Sequence, residues 1–288
     1  MPLKTEFVEF YITETCNLVC SGCNRFNNLG LKKHEDWDKN KEHYRKFARF
    51  VEVKSAEIIG GEPLQHPHII KIIKDVRSFY PNSSINIWTN GLLLDKIPNL
   101  KDAILQNDIK LEIAVHNKKF RMPILRKIKS LFDGDIKFLR NGIKTAKKGY
   151  FKFDFQTSNG RKHRIRLSEH FWQNSLNDPY ELKPYESDAD LAWQACETRC
   201  PTIANGRFHK CPISHCMPEA VRQRNDIILN DKQRSLIDSF PYIECKDIDK
   251  VSEEHWRKFL QEKIDQCSLC PEKYIVQSKG TQQIKSIL

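Results

Sequence analysis

The first half of the chain alternates between two hydrophobic periods. Phe7-Val8-Glu9-Phe10-Tyr11-Ile12 has the β-branched and aromatic content of a strand. From Asp38 to about Val53, the residues Tyr44, Phe47, Ala48 and Val51 share one face at helical spacing. Ala56-Glu57-Ile58-Ile59 reads as a short buried strand that stops at Gly60-Gly61. Pro67 opens a second helix with the stripe Ile69, Ile70, Ile73 and Val76. Strands follow at Ser84–Trp88, closed by Thr89-Asn90-Gly91, and at Lys110–Val115. A helix from about Lys118 to Phe132 and a strand at Ile136–Leu139 complete the series. This alternation predicts βα units around a parallel sheet. Functional loops of such folds lie at the carboxyl ends of the strands. A cysteine-bearing loop, the Gly-Gly pair and Thr89-Asn90-Gly91 all fall there.

The pattern changes after about residue 150. Tyr150–Phe155 alternates like one more strand, and the chain then becomes polar, cysteine-rich and short of long periodic segments. Asn205-Gly206 is a hairpin-turn signal. Ser252, followed by Glu253-Glu254, opens a helix to Ile264 that carries Trp256, Phe259 and Leu260. The division expected is a core at 1–150, a bridging segment at 151–195, a cysteine-rich module at 196–275 and a weakly ordered tail at 276–288. A module with so little apolar material needs ligands to make it rigid.

Composition narrows the class. At 39% hydrophobic and 30% charged residues, the chain is that of a globular protein. No apolar run approaches the roughly 20 residues of a spanning helix, and Met1–Glu6 has no signal-peptide core. The expectation is a cytoplasmic protein with no membrane partner. Its ten cysteines then need a reason other than disulfides. Three lie at 16, 20 and 23, none from Asn24 to Ala195, and seven at 196, 200, 211, 216, 245, 267 and 270. Two groups of soft ligands imply two metal sites. The net charge is +11, and residues 118–152 hold twelve Lys or Arg against two Asp. A second basic run spans 161–166. That balance suits an acidic partner, whether a phosphorylated small molecule, a nucleotide-linked sugar or RNA, and equally a solvated Lys-rich face.

Cys16-x3-Cys20-x2-Cys23 can hold three irons of a four-iron cluster and leave the fourth open. An open iron is what a catalytic site needs. A zinc site usually takes four ligands, and no fourth Cys or His lies nearby. This loop after a first strand resembles the radical S-adenosylmethionine (SAM) superfamily, whose fold is a partial (βα)6 barrel. Gly60-Gly61-Glu62-Pro63, at the end of the second expected strand, strengthens the resemblance over roughly residues 6–140. In that family this stretch contacts the amino group of SAM. The resemblance likewise places Thr89 and Asn90 near the ribose or carboxylate, and His116 where a fourth strand meets the pocket. It implies a 4Fe-4S cluster on Cys16, Cys20 and Cys23 that cleaves SAM to a 5′-deoxyadenosyl radical. One departure is Gly22, where the family often carries an aromatic residue near the adenine; Phe26 is the residue nearby that can replace it.

Cys196-x9-Gly206-x4-Cys211 followed by Cys267-x2-Cys270 resembles the SPASM and twitch modules of such enzymes, a β-hairpin and a helix around an auxiliary 4Fe-4S cluster. The resemblance favours Cys196, Cys211, Cys267 and Cys270 as ligands, with Cys200 a rival for Cys196. Cys216 and Cys245 are free or belong to a further cluster, and a structural zinc is the other reading of the set. The twitch layout implies oxidation or dehydrogenation of a small molecule, or peptide modification, with a reductant such as flavodoxin or ferredoxin. Asp154, Arg164 and Arg166 are candidates for the proton transfer such a reaction requires. The basic 118–166 region favours an RNA- or nucleotide-modifying enzyme as the alternative. A non-catalytic iron–sulfur or zinc protein is the third reading.

Overall fold

The computed structural model describes residues 2–20, 23–139, 144–145, 150–168, 171–173, 182–196, 199–273 and 275–277. In chain order its main elements are β1 (Leu3–Tyr11), α1 (Trp37–Phe50), β2 (Val51–Ile59), α2 (Ile69–Phe79), β3 (Ser84–Thr89), α3 (Leu100–Gln106), β4 (Ile109–Val115) and α4 (Arg121–Leu131). There follow β5 (Ile136–Leu139), β6 (Lys144–Thr145), β7 (Tyr150–Thr157), β8 (Lys162–Ser168), β9 (Phe171–Gln173) and α5 (Ala189–Ala195). The chain continues with β10 (Thr202–Ala204), β11 (Arg207–His209), α6 (Pro212–Gln223), α7 (Asp231–Asp238), β12 (Tyr242–Glu244), α8 (Glu253–Gln261) and β13 (Ile275–Gln277). One sheet runs β12-β11-β10-β1-β2-β3-β4-β8-β7-β5, with β6 beside β7, and β9 pairs separately with β13. The run β10-β1-β2-β3-β4-β8 is parallel throughout.

Two expectations from periodicity are corrected. The first helix does not reach Val53. It ends at Phe50, and Val51 already begins β2, because Val51, Glu52, Val53 and Lys54 alternate buried and exposed. Nor is Ile136–Leu139 the next parallel strand. It lies antiparallel at the far edge on β7, while β8 takes the place beside β4. A tight turn at Gly160 (φ +83°) folds β8 back on β7, and Ile165 then registers with Ile113 and joins the core.

Alternation divides the sheet into two unlike faces. Val8, Phe10 and Ile12, Ala56 and Ile58, Ile85 and Ile87, and Leu111 and Ile113 all face the helices. They pack on Tyr44, Phe47, Ile72, Ile73, Val76, Ile104, Ile124 and Ile128. The opposite face carries Glu9, Glu57, Asn86, Glu112 and Arg164, and the register sets Glu9 beside Glu57, Glu57 beside Asn86 and Glu112 beside Arg164. A polar inner face is left for ligands.

The C-terminal segment is built onto this sheet. The β10–β11 hairpin turns at Asn205 (φ +50°) and Gly206 (φ +77°), and β10 extends the sheet past β1. Buried Glu35 ties the hairpin to α1. It accepts from Asn40 Nδ2 (2.7 Å), Tyr44 Oη (2.5 Å) and the Asn205 backbone N–H (2.6 Å), and Tyr44 Oη in turn accepts from Gly206 N–H (2.9 Å). A second core joins Tyr11, Phe26, Leu29 and Leu31 to Ile213, Met217, Ala220, Phe240 and Leu269. Among the described residues no helix is long and apolar enough to cross a membrane.

Candidate active site

The loop from Ile12 to Asp36 leaves the carboxyl end of β1 and is held by backbone pairing on both sides. Glu14 N–H donates to Lys33 O (2.8 Å), Gly61 N–H to Thr13 O (2.7 Å) and Glu62 N–H to Thr15 O (2.9 Å). Gly60 and Gly61 are required by this contact. A Cβ on Gly60 would lie 2.5 Å from Thr13 O, and one on Gly61 2.4 Å from Thr15 O. The glycines therefore let the second strand's end press against the stretch that enters Cys16.

Glu62 lies behind the cavity rather than in it. It is fully buried and accepts from Leu64 N–H (3.1 Å), Thr89 Oγ1 (2.6 Å) and Asn90 N–H (2.7 Å). Pro63 starts the single turn that aims the Leu64 N–H at it. Burial pushes the Glu62 carboxyl up to about 7, against the pull of those donors. The Glu62 carboxyl is taken up by the protein's own donors. It fixes Thr89 and Asn90, whose amide Nδ2 donates to Asn17 Oδ1 (2.7 Å).

These elements enclose a cavity of about 520 Å³. Cys16, Cys20, Cys23, Gly60, Gly61, Thr89, Asn90 and His116 line it together. Cys16 Sγ accepts from Leu18 N–H (3.4 Å) and from Asn90. Burial first, then the Glu62 carboxylate, pushes the free Cys16 thiol up to about 12, and burial also raises the Cys20 thiol. A bound metal reverses that balance, because a coordinated thiol is deprotonated. Three soft donors with sulfur-directed N–H groups on one cavity wall fit an iron–sulfur cluster. His116 faces the cavity half-buried, and burial lowers it to about 4, so its imidazole is neutral at physiological pH.

Other expectations move. Phe26 is fully buried in the second core, with a left-handed backbone (φ +58°), and does not line the cavity. Gly22 lies outside the described residues. Arg164 pairs with Asp154 (3.2 Å) and reaches toward Glu112 (3.7 Å). Both Asp154 and Arg164 line a neighbouring cleft of about 430 Å³ near the start of β4, not the cysteine cavity. Arg166 registers with Ala114, and its side chain lies outside the described residues. Sequence reasoning missed Glu9, Arg25, Glu57 and Trp88, which all line the cavity. For Glu9 and Glu57 the available signal was a carboxylate in the middle of an otherwise apolar strand; Arg25, in the loop, and Trp88 carried no such signal.

A smaller cavity of about 50 Å³ gathers Cys196, Cys211, Cys267 and Cys270, with Trp193, Arg199 and Lys210. Cys211 caps the N-terminus of α6, where backbone N–H groups favour a thiolate. Burial still pushes its free thiol up to about 11. Lys210 and Arg199 both lie over the Trp193 ring, at 4.8 and 4.0 Å, and set positive charge beside the four sulfurs. Cys200 lines the larger cavity, within electrostatic reach of Cys196 and Cys211, and its neighbours Arg199 and Pro201 line the smaller one. Cys216 and Cys245 are buried in the two cores. Among the described residues no three His, Cys, Asp or Glu side chains converge on a single metal ion.

The description "Radical SAM superfamily" fits residues 10–158, more than half of the chain. The chain belongs to the radical SAM superfamily. It is therefore an enzyme family member whose cofactors are SAM and a 4Fe-4S cluster. Relatives include the GTP 3′,8-cyclase of Petrotoga mobilis, 31% identical over 97 residues, covering 32% of this chain and 29% of the relative. The probable GTP 3′,8-cyclase of Methanocaldococcus jannaschii is 31% identical over 145 residues, covering 47% of this chain and 43% of the relative. The chain thus spans less than half the length of these curated relatives. Similar solved structures include BtrN in complex with AdoMet and 2-DOIA, at 19% identity and TM-score 0.33, covering 42% of this chain and 51% of that one. Streptococcus suis SuiB bound to S-adenosylmethionine is 17% identical with TM-score 0.36, covering 46% of this chain and 32% of that one.

Proposed function

We propose that this enzyme uses SAM to abstract hydrogen from a small polar substrate held on the inner face of the sheet, and oxidises or otherwise rearranges it. One observation carries the reading: a single cavity contains Cys16, Cys20 and Cys23, the Gly60-Gly61 ribbon and Thr89-Asn90, and continues to Glu9, Glu57 and Cys200. When bound, the cluster and SAM together supply a 5′-deoxyadenosyl radical. The chain's part is to position and to exclude water. Cys16, Cys20 and Cys23 hold the metal. Thr89 and Asn90, fixed by Glu62, border the SAM side. Glu57, which accepts from Ser55 Oγ, Asn86 Nδ2 and Trp88 Nε1, holds the Trp88 ring at the cavity wall.

The same reading assigns Cys196, Cys211, Cys267 and Cys270 to an auxiliary 4Fe-4S cluster. What supports it is their shared cavity beside Lys210 and Arg199. The second reading is a nucleotide substrate, favoured by the names of the relatives. The two are separated by anaerobic assays of 5′-deoxyadenosine release in pools of polyols, amino acids and short peptides, and separately with GTP. Stimulation by a pool but not by GTP supports the first reading. Stimulation by GTP alone refutes it.

A further inference from the structure

Arg25 lines the cysteine cavity and is only 8% exposed. Its Nη2 donates to both oxygens of Glu9, at 2.9 and 2.9 Å, and its guanidinium carbon lies 5.5 Å from the centre of the Tyr11 ring. Nη1 is buried with no hydrogen-bond partner among the described residues. A buried guanidinium donor without an acceptor calls for a ligand. Glu9 does not meet that need, since it is engaged by Nη2 and by Thr202 Oγ1 (3.2 Å). The backbone spends strain to hold this arrangement: the next residue, Phe26, takes a left-handed conformation that buries its own ring and leaves Arg25 at the cavity.

The position within the cavity is informative. Glu9 lies on β1, and Cys200 precedes β10 on one side of it, whereas Thr89 ends β3 on the other. Two strand spacings, roughly 10 Å, separate β3 from β1, where Glu9 holds Arg25, and three, roughly 14 Å, separate it from β10. SAM on Thr89, Asn90 and Gly60 therefore leaves the Arg25 side to a second ligand.

We propose that Arg25 anchors the substrate through an anionic oxygen, of a carboxylate or a phosphate, at the Cys200 side of the cavity. This deepens the function proposed above and rests on it for the placement of SAM. Nη1 donates to the anion while Glu9 holds the guanidinium plane through Nη2. Arg25 selects acids over neutral molecules of the same size.

Cys200 provides the probe. In anaerobic, cluster-reconstituted protein, Cys200 is alkylated with iodoacetate or with iodoacetamide and quantified by peptide mass spectrometry. Both reagents lose iodide to the thiolate and differ in charge. Their rate ratio, normalised to glutathione in the same tube, cancels any change in thiolate fraction. Because the Glu9 carboxylate also acts on Cys200, the expected result is read against the variants: a ratio severalfold higher in wild type than in R25Q, reduced by inorganic phosphate and unchanged by saturating SAM. R25Q, with only the Glu9 carboxylate left beside Cys200, takes the ratio below that of glutathione, E9Q/R25Q returns it to that value, and R25K keeps part of the preference. Because R25Q leaves Glu9 buried and unpaired, the neutral pair E9Q/R25Q is measured alongside. Equal ratios in wild type and both variants overturn the proposal. So does loss of the preference on adding SAM, which would give Arg25 to the cofactor's carboxylate. The ratio is read without turnover, so failure of SAM cleavage and failure of the Arg25 subsite are distinguishable.

Discussion

Replacing Glu62 by Gln removes a buried charge while keeping the shape of the side chain. Burial raises the Glu62 carboxyl from 4.5 to about 7 in the folded protein. In the unfolded chain it ionises near 4.5. Between those values the folded state holds one more proton, so this group's contribution is fully present below about 4.5 and is lost as pH rises through about 7. The shift corresponds to about 3 kcal/mol. E62Q has no such titration. It instead sets an amide NH2 against the N–H of Leu64 or Asn90, a fixed cost of about 1–3 kcal/mol. The variant therefore melts below wild type at pH 5, and the gap closes or inverts by pH 8. For a chain of this size the relative movement is on the order of 6–12 °C. Anaerobic thermal melts of both proteins at pH 5, 6, 7 and 8 measure it. A gap that stays constant, or widens with pH, refutes the reasoning that burial dominates at Glu62.

Three further outcomes follow from the geometry. G61A puts a methyl against Thr15 O, a backbone atom that cannot rotate away, and should lose about 1–3 kcal/mol together with iron at the first site, read by melts and iron analysis. Wild type should bind about eight irons per chain after anaerobic reconstitution, and C211A/C267A/C270A about four; C200S should match wild type. Four irons in wild type would remove the auxiliary cluster. E35A strips acceptors from Asn40, Tyr44 and the Asn205 N–H, so the melting temperature should fall by several degrees, about 2–4 °C per kcal/mol, with faster amide exchange at Asn205. Unchanged exchange there would mean that Glu35 does not hold the hairpin.

The legible parts of the sequence were local ones. Cysteine spacing, the Gly-Gly ribbon and the Asn205-Gly206 turn are each encoded within a few residues, and each occupies the expected place. The parallel order of the first four strands followed from alternation. Long-range choices were not legible. Ile136–Leu139 and Lys162–Ser168 both have strand-like composition, and only packing decides which one sits beside β4. The task of Glu62 depends on donors 27 and 28 residues away. Phe26 looked like a cavity aromatic because nothing local announces a left-handed φ at a phenylalanine. Cys196 and Cys200 are four residues apart in sequence, and spacing alone does not say which of them lines the smaller cavity.

The central claim is that Cys16, Cys20 and Cys23 hold the centre at which SAM is cleaved. Its most direct test is 5′-deoxyadenosine formation from SAM and dithionite, by anaerobically reconstituted wild type and by C16A/C20A/C23A, with folding of both checked by circular dichroism. The account predicts product from wild type and none above the protein-free background from the triple variant. Equal product from a folded triple variant would contradict it.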